Sequence, residues 1–235
     1  MNDPFADLAA GPLSPGLYGD STGAGVRVAV IDSGVHPGHP HVGAVAAGVS
    51  FDGAGTRGDD AVDRLGHGTA VSAVIREKAP DAEIIPVKVF DRELRATADA
   101  LVAAIDWAIE ARVHLINLSL GTTNPAHQRR LGEALVRAAR AGIGLVAAAE
   151  QDEVRWLPGS LPLAIGVTID WECPRETAIV DVAQEGAVRR LRVRASGYPR
   201  PIPGVPPERN LKGISFAVAN ATGLLCLHLS RGRAA

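Results

Sequence analysis

The strongest constraint in this chain is a change of rhythm. Apolar runs of four to seven residues alternate with longer stretches in which apolar side chains recur at helical spacing. A short unbroken apolar run reads as a strand buried on both faces, and the helix that follows must cover one of those faces. The alternation therefore predicts an α/β fold in three layers, a mainly parallel sheet with helices on both faces. Strands are expected at residues 26–31, 83–89, 114–118, 143–148 and 163–167. Residues 97–111 place Leu101, Ile105, Ala108 and Ile109 on one helical face. Residues 126–141 do the same with Leu131, Leu135 and Ala138, and Gly142 supplies the stop.

After residue 167 the rhythm breaks. Residues 177–182 and 188–193 read as short antiparallel strands. Residues 198–207 hold five prolines and exclude both helix and central strand. Residues 213–229 form an Ala- and Leu-rich helix, followed by the basic run Arg231-Gly232-Arg233. There are no repeats and no internal linker, and 235 residues suit one large domain. The organisation expected is an N-terminal extension over 1–25, one domain over 26–230 and a basic tail over 231–235.

A net charge of −2 gives no electrostatic reason to expect nucleic acid or an anionic membrane as partner. The start, Met1-Asn2-Asp3-Pro4-Phe5-Ala6-Asp7, lacks the basic and apolar regions of a secretory signal. No segment reaches the roughly 20 apolar residues that span a bilayer. A cytoplasmic location is the expectation. Cys173 and Cys226 are too few for a disulfide framework; two separate thiols are expected, with a single bridge left open.

Three short motifs carry chemistry. Asp32 ends the first strand, where open parallel sheets collect functional groups. His67 lies in Gly66-His67-Gly68-Thr69, where flanking glycines allow close backbone approach ahead of a buried helix. Ser215 lies in Gly213-Ile214-Ser215-Phe216-Ala217, at the start of the last helix, where the helix dipole favours developing negative charge. Each alone has an ordinary reading: a strand-end Asp of a nucleotide-binding fold, a structural histidine, a helix N-cap.

Together, and in that order, the motifs resemble the subtilisin family of serine proteases (subtilases). Val87-Lys88-Val89, Ile116-Asn117-Leu118-Ser119-Leu120-Gly121 and Leu161-Pro162-Leu163-Ala164-Ile165-Gly166-Val167 match further family segments. The resemblance spans residues 26–229 and implies a subtilisin-like peptidase domain. It implies Asp32, His67 and Ser215 as catalytic triad, with the Ser215 backbone N–H as one oxyanion donor. It implies peptide substrate held by strand addition between residues Leu94, Arg95 and Ala96 on one side and Ser119, Leu120 and Gly121 on the other.

The departures from the family pattern are as informative. Gln151 stands where the family has an oxyanion-stabilising Asn, so it is either a replacement donor or a plain loop residue. Glu150 replaces a glycine bordering the pocket for the residue before the scissile bond; it either narrows that pocket or turns to solvent. Residues 76–81 lack the family's calcium loop and His41 stands where an Asp ligand is common, so no metal and no other cofactor is expected. His36, His39 and His41, interrupted by Pro37 and Pro40, are read as a surface loop. No stretch before residue 26 is long enough for a folding pro-segment. These departures imply limited cleavage of a dedicated peptide or protein, such as a leader-bearing precursor, in the manner of proteases that mature modified peptides or enzyme subunits. General peptide turnover and a catalytically feeble peptide-binding scaffold remain the competing readings.

Overall fold

The computed structural model describes residues 3–90, 93–186, 188–206 and 209–231. The chain begins with a short strand β1 (Gly11–Leu13), then β2 (Arg27–Asp32), β3 (Val49–Phe51), β4 (Arg57–Gly58) and helix α1 (His67–Lys78). It continues through β5 (Glu83–Lys88), α2 (Ala98–Glu110), β6 (Leu115–Leu118), α3 (Gln128–Arg140) and β7 (Gly144–Ala148). A small hairpin, β8 (Glu150–Gln151) and β9 (Val154–Arg155), precedes β10 (Ile165–Ile169), β11 (Ala178–Glu185), β12 (Val188–Ala195) and the long helix α4 (Ile214–Ser230).

Ten strands form one sheet in the order β1-β11-β12-β10-β7-β6-β2-β5-β3-β4. The strands from β12 across to β3 run parallel, and antiparallel pairs occur only toward the two edges, β1–β11–β12 and β3–β4. The central strands are buried along nearly their whole length, as a sheet covered on both faces requires.

Two hydrophobic layers flank the sheet. Val71, Val74 and Ile75 of α1 share one core with Leu224, Leu225 and Leu227 of α4, over Val28, Val30 and Val146 of the sheet. Leu101 and Ile105 of α2 and Leu131 and Leu135 of α3 share the other, over Ala29, Ile31 and Ile116. Alternate residues of a strand point to opposite faces. Adjacent residues of β2 thus feed different cores, and the predicted three-layer fold is what the chain adopts.

Residues 3–25 are bound into the same core. Phe5, Leu8, Leu13 and Tyr18 are buried, and β1 pairs antiparallel with β11. Burying a large apolar side chain of this kind is worth on the order of 2 kcal/mol. Burial explains the mostly apolar sequence of α4: every residue from Phe216 to Ser230 is buried. Among its polar members, Asn220 donates to the Ser196 and Tyr198 carbonyls at 2.8 and 3.0 Å. Cys173 and Cys226 are both free and buried. Of the basic tail, only Arg231 falls within the described residues; it pairs with Asp7.

Candidate active site

The carboxyl ends of β2 and β6 and the first turns of α1 and α4 converge on one rim of the sheet. Asp32 closes β2 and is fully buried. Its Oδ1 accepts from the Ser33 backbone N–H at 2.7 Å and meets His67 Nδ1 at 2.7 Å. The second oxygen, Oδ2, is buried without a partner among the described residues.

Close approach of α1 to β2 makes this pairing possible, and Gly68 permits it. A Cβ on Gly68 would stand 2.2 Å from the Gly34 carbonyl oxygen and 3.2 Å from Asp32 Oδ1. Gly66, the N-cap, is left-handed at φ 82. A side chain at position 68 would force α1 away from β2, whereas at position 66 the left-handed backbone is what favours glycine.

Asp63 braces this corner, and the sequence reading missed it. It is buried, and its Oδ1 accepts from the Ser33 hydroxyl at 2.8 Å and from the Leu65 and Gly66 N–H groups at 2.9 and 2.8 Å. Its Oδ2 accepts from the Thr69 N–H at 2.9 Å and the Thr69 hydroxyl at 2.6 Å. Helix α1 has no side-chain cap from its own N-cap residue; Asp63 accepts from its Thr69 N–H, and the Ser33 hydroxyl that Asp63 holds accepts from its Gly68 N–H at 2.9 Å. The signal was present as an acidic residue four positions before His67.

Burial works against charge on both groups, yet the surroundings win. Desolvation would raise the Asp63 pKa, but the bonds from Thr69 and Ser33 hold it below the usual carboxylate value. Desolvation would lower the His67 pKa, but its bond to Asp32 and the charges of Asp32 and Asp63 hold it above the usual histidine value. The Asp32 bond fixes the proton on Nδ1. Nε2, which makes no hydrogen bond to any described residue, is left as the basic nitrogen.

Ser215 is the second residue of α4, half-buried, with its neighbour Phe216 tilted against His67 at 6.0 Å between ring centres. Its hydroxyl donates to the Ser119 carbonyl at 3.1 Å, and no hydrogen bond joins it to His67. The Ser215 backbone N–H makes no hydrogen bond among the described residues, as expected of a helix's first turn. Ser119 is itself anchored: the Asn117 side-chain amide donates to its hydroxyl at 2.8 Å, and the Thr222 hydroxyl donates to Asn117 Oδ1 at 2.9 Å. These groups are buried and link α4 to the end of β6.

The remaining predicted residues fall around this rim. Leu120 and Gly121 leave β6 with no backbone hydrogen bond to a described residue, and Leu94, Arg95 and Ala96 are likewise unpaired along the backbone. Two free edges therefore stand open to an added strand. Leu94 and Arg95 are exposed.

Gln151 and Glu150 lie in the β8–β9 hairpin, whose turn residues Asp152 and Glu153 are left-handed at φ 51 and 63. That is the two-residue turn favoured by strand twist, built here without glycine. The Gln151 amide donates to the Asp152 carboxylate at 3.2 Å. Glu150 is exposed and stands opposite Arg155. The His36 ring lies against the Pro37 carbonyl, and the His39 and His41 rings meet edge to face at 5.3 Å.

A covered parallel sheet that presents a buried carboxylate, an imidazole oriented by it and a helix-borne hydroxyl on one rim has the parts of an Asp–His–Ser hydrolase centre. The sequence model described as the Subtilase family matches residues 23–167, and the chain belongs to that family. It is 36% identical over 140 residues to the minor extracellular protease Epr of Bacillus subtilis (strain 168), covering 56% of this chain and 21% of that protein. It is 29% identical over 227 residues to subtilisin E of the same organism, covering 92% of this chain and 57% of that protein. The chain thus spans well under two thirds of the length of these relatives.

Among solved structures, a cold adapted subtilisin-like serine proteinase superposes with a TM-score of 0.67 at 21% identity, over 91% of this chain and 78% of that one. The prenylagaramide maturation protease PagA superposes with a TM-score of 0.63 at 22% identity, over 92% of this chain and 80% of that one. The fold is subtilisin-like.

Proposed function

We propose that this chain is a serine endopeptidase that cleaves peptide bonds through an acyl-enzyme on Ser215. The observation that carries the proposal is the 2.7 Å contact between His67 Nδ1 and a fully buried Asp32. It spends Nδ1 and leaves Nε2 to take a proton.

Ser215 turns from the Ser119 carbonyl to His67 and attacks the scissile carbonyl, and His67 Nε2 takes the hydroxyl proton. The imidazolium so formed is met by the Asp32 carboxylate. The oxyanion is received by the Ser215 backbone N–H at the positive end of α4. Gln151, released from Asp152, supplies the second donor. His67 then protonates the leaving amine, water takes the place of that amine and gives its proton to His67 as it attacks the ester, and Ser215 is released with the proton returned to it.

Substrate lies as an added strand between the free edges at residues 94–96 and 119–121. Exposed Leu94 and Arg95 give one edge more side-chain character than a bare backbone rail, which favours limited cleavage of a dedicated precursor in the cytoplasm. The structural likeness to the prenylagaramide maturation protease PagA agrees with that reading. A second reading, a peptide-binding scaffold of little activity, draws on the two hydroxyl and amide groups that rest on other partners, Ser215 on Ser119 and Gln151 on Asp152.

Incubating the protein with leader-bearing precursor peptides and weighing the products separates the two. One or a few discrete cuts, abolished by Ser215→Ala, support the protease. Peptide retained but uncut by both proteins supports the scaffold.

A further inference from the structure

The edge at residues 119–121 is not equally open on both sides. Gly121 is roofed by Trp156 and Leu157: a Cβ on Gly121 would stand 2.7 Å from the Leu157 carbonyl oxygen, 3.3 Å from Trp156 Cβ and 3.5 Å from Trp156 Cε3. Trp156 is held there from both directions. Its backbone N–H donates to the Ala149 carbonyl at 2.9 Å, and its neighbour Leu157 exchanges backbone hydrogen bonds with Thr122 at 2.8 and 2.9 Å. The indole is partly buried against the core beneath α1 and α4. Its Nε1–H is buried with no partner among the described residues.

We propose that Trp156 sets the size of the substrate side chain accepted beside Gly121, restricting cleavage to peptides with a small residue before the scissile bond. The inference rests on the peptidase reading and deepens it. Ser215 touches the carbonyl of Ser119, so a strand added along residues 119–121 places the residue bearing the scissile carbonyl against this stretch. Side chains of an added strand alternate between its two faces. On the face that Gly121 offers, the indole already fills the room a long side chain needs. Of the two readings open for Glu150, its exposure agrees with the one that turns it to solvent, and Trp156 is the bulk beside the edge.

The test compares kcat/KM for the anilides Ala-Ala-Ala-X, with X as Ala, Val, Leu or Phe. Ala is expected to exceed Phe at least ten-fold, the scale on which pocket size discriminates. Trp156→Ala is expected to raise Phe relative to Ala by ten-fold or more, and Trp156→Phe, which keeps most of the bulk, to retain the preference for Ala. Should Trp156→Ala fail to fold, Trp156→Leu is expected to move the same ratio in the same direction by several-fold. A wild type that prefers Phe, or a ratio left within two-fold by these variants, overturns the proposal.

Binding keeps the inference separate from catalysis. Fluorescein-labelled Ala-Ala-Ala-X peptides are titrated by anisotropy against Ser215→Ala, with and without Trp156→Leu. Tighter binding of X = Ala that relaxes on losing the indole supports the size filter even if the wild type cuts nothing, an outcome that sinks the peptidase reading alone. Equal affinity for all four peptides overturns the filter.

Discussion

The two halves of the candidate site are built to different standards. On the Asp32–His67 side the contacts are short and buried or partly buried, and Asp63 alone accepts five hydrogen bonds from β2's exit, the loop before α1 and the helix itself. On the Ser215–Gln151 side the hydroxyl rests on a backbone carbonyl and the amide on a surface carboxylate. On the proposed mechanism the acid–base pair is preorganised, whereas Ser215 and Gln151 have to change partners. Preorganisation is what makes electrostatic catalysis effective, so the second half is where substrate has work to do. A bound strand that pairs with residues 119–121 competes for the same Ser119 neighbourhood and releases the hydroxyl toward His67.

The largest expected effect tests the braced half. Asp32→Asn keeps the shape but removes the charge that fixes the imidazole tautomer, and kcat should fall on the order of 10⁴-fold. A fall of less than ten-fold would mean that His67 is oriented by something else. The next largest tests the open half. Gln151→Ala should lower kcat about 10²-fold with KM little changed, the cost of one oxyanion donor. Unchanged turnover would assign Gln151 to the hairpin alone.

The smallest effect separates bracing from chemistry. The charges of Asp32 and Asp63 both favour protonated His67, so removing one lowers its pKa. Asp63→Asn should therefore shift the acid limb of the kcat/KM profile to lower pH, by less than the loss of Asp32 would. The Asp63 pKa is itself depressed on folding, so its contribution to stability is present above the unfolded carboxylate value near 3.9 and is lost as pH falls through the folded one. At neutral pH the variant should lose about 1–3 kcal/mol of stability in urea titrations, because several buried donors lose their charged acceptor. An unmoved acid limb would confine Asp63 to the scaffold.

The sheet, the helices and the positions of Asp32, His67 and Ser215 were legible because each depends on a local pattern. An apolar run reads as a buried strand, Thr97 caps α2 by accepting from the Ala100 N–H at 3.1 Å, and glycines flank a histidine that must approach a strand. What escaped depends on contacts between distant segments. Strand β1 is three residues long with no periodicity of its own, and it exists because β11 offers an edge. That pairing, with Phe5 and Leu8 buried, draws into the core a stretch that reads as an extension. Asp63 resembles any loop aspartate until the turn brings Ser33 and Thr69 to it. Trp156 reads as an ordinary aromatic until the tight turn at Asp152 and Glu153 returns the chain to Gly121. Strand ends shifted by a residue or two, as at β10, because hydrogen-bond register and not apolarity decides where pairing stops.

The central claim is that Ser215 is a nucleophile activated by His67, and a fluorophosphonate probe reads it directly. Incubation at pH 8 followed by intact mass measurement and peptide mapping should show a single adduct on the peptide containing Ser215, absent from Ser215→Ala and much slowed in His67→Ala. No adduct on the folded wild-type protein, or an adduct that survives Ser215→Ala, would contradict the account.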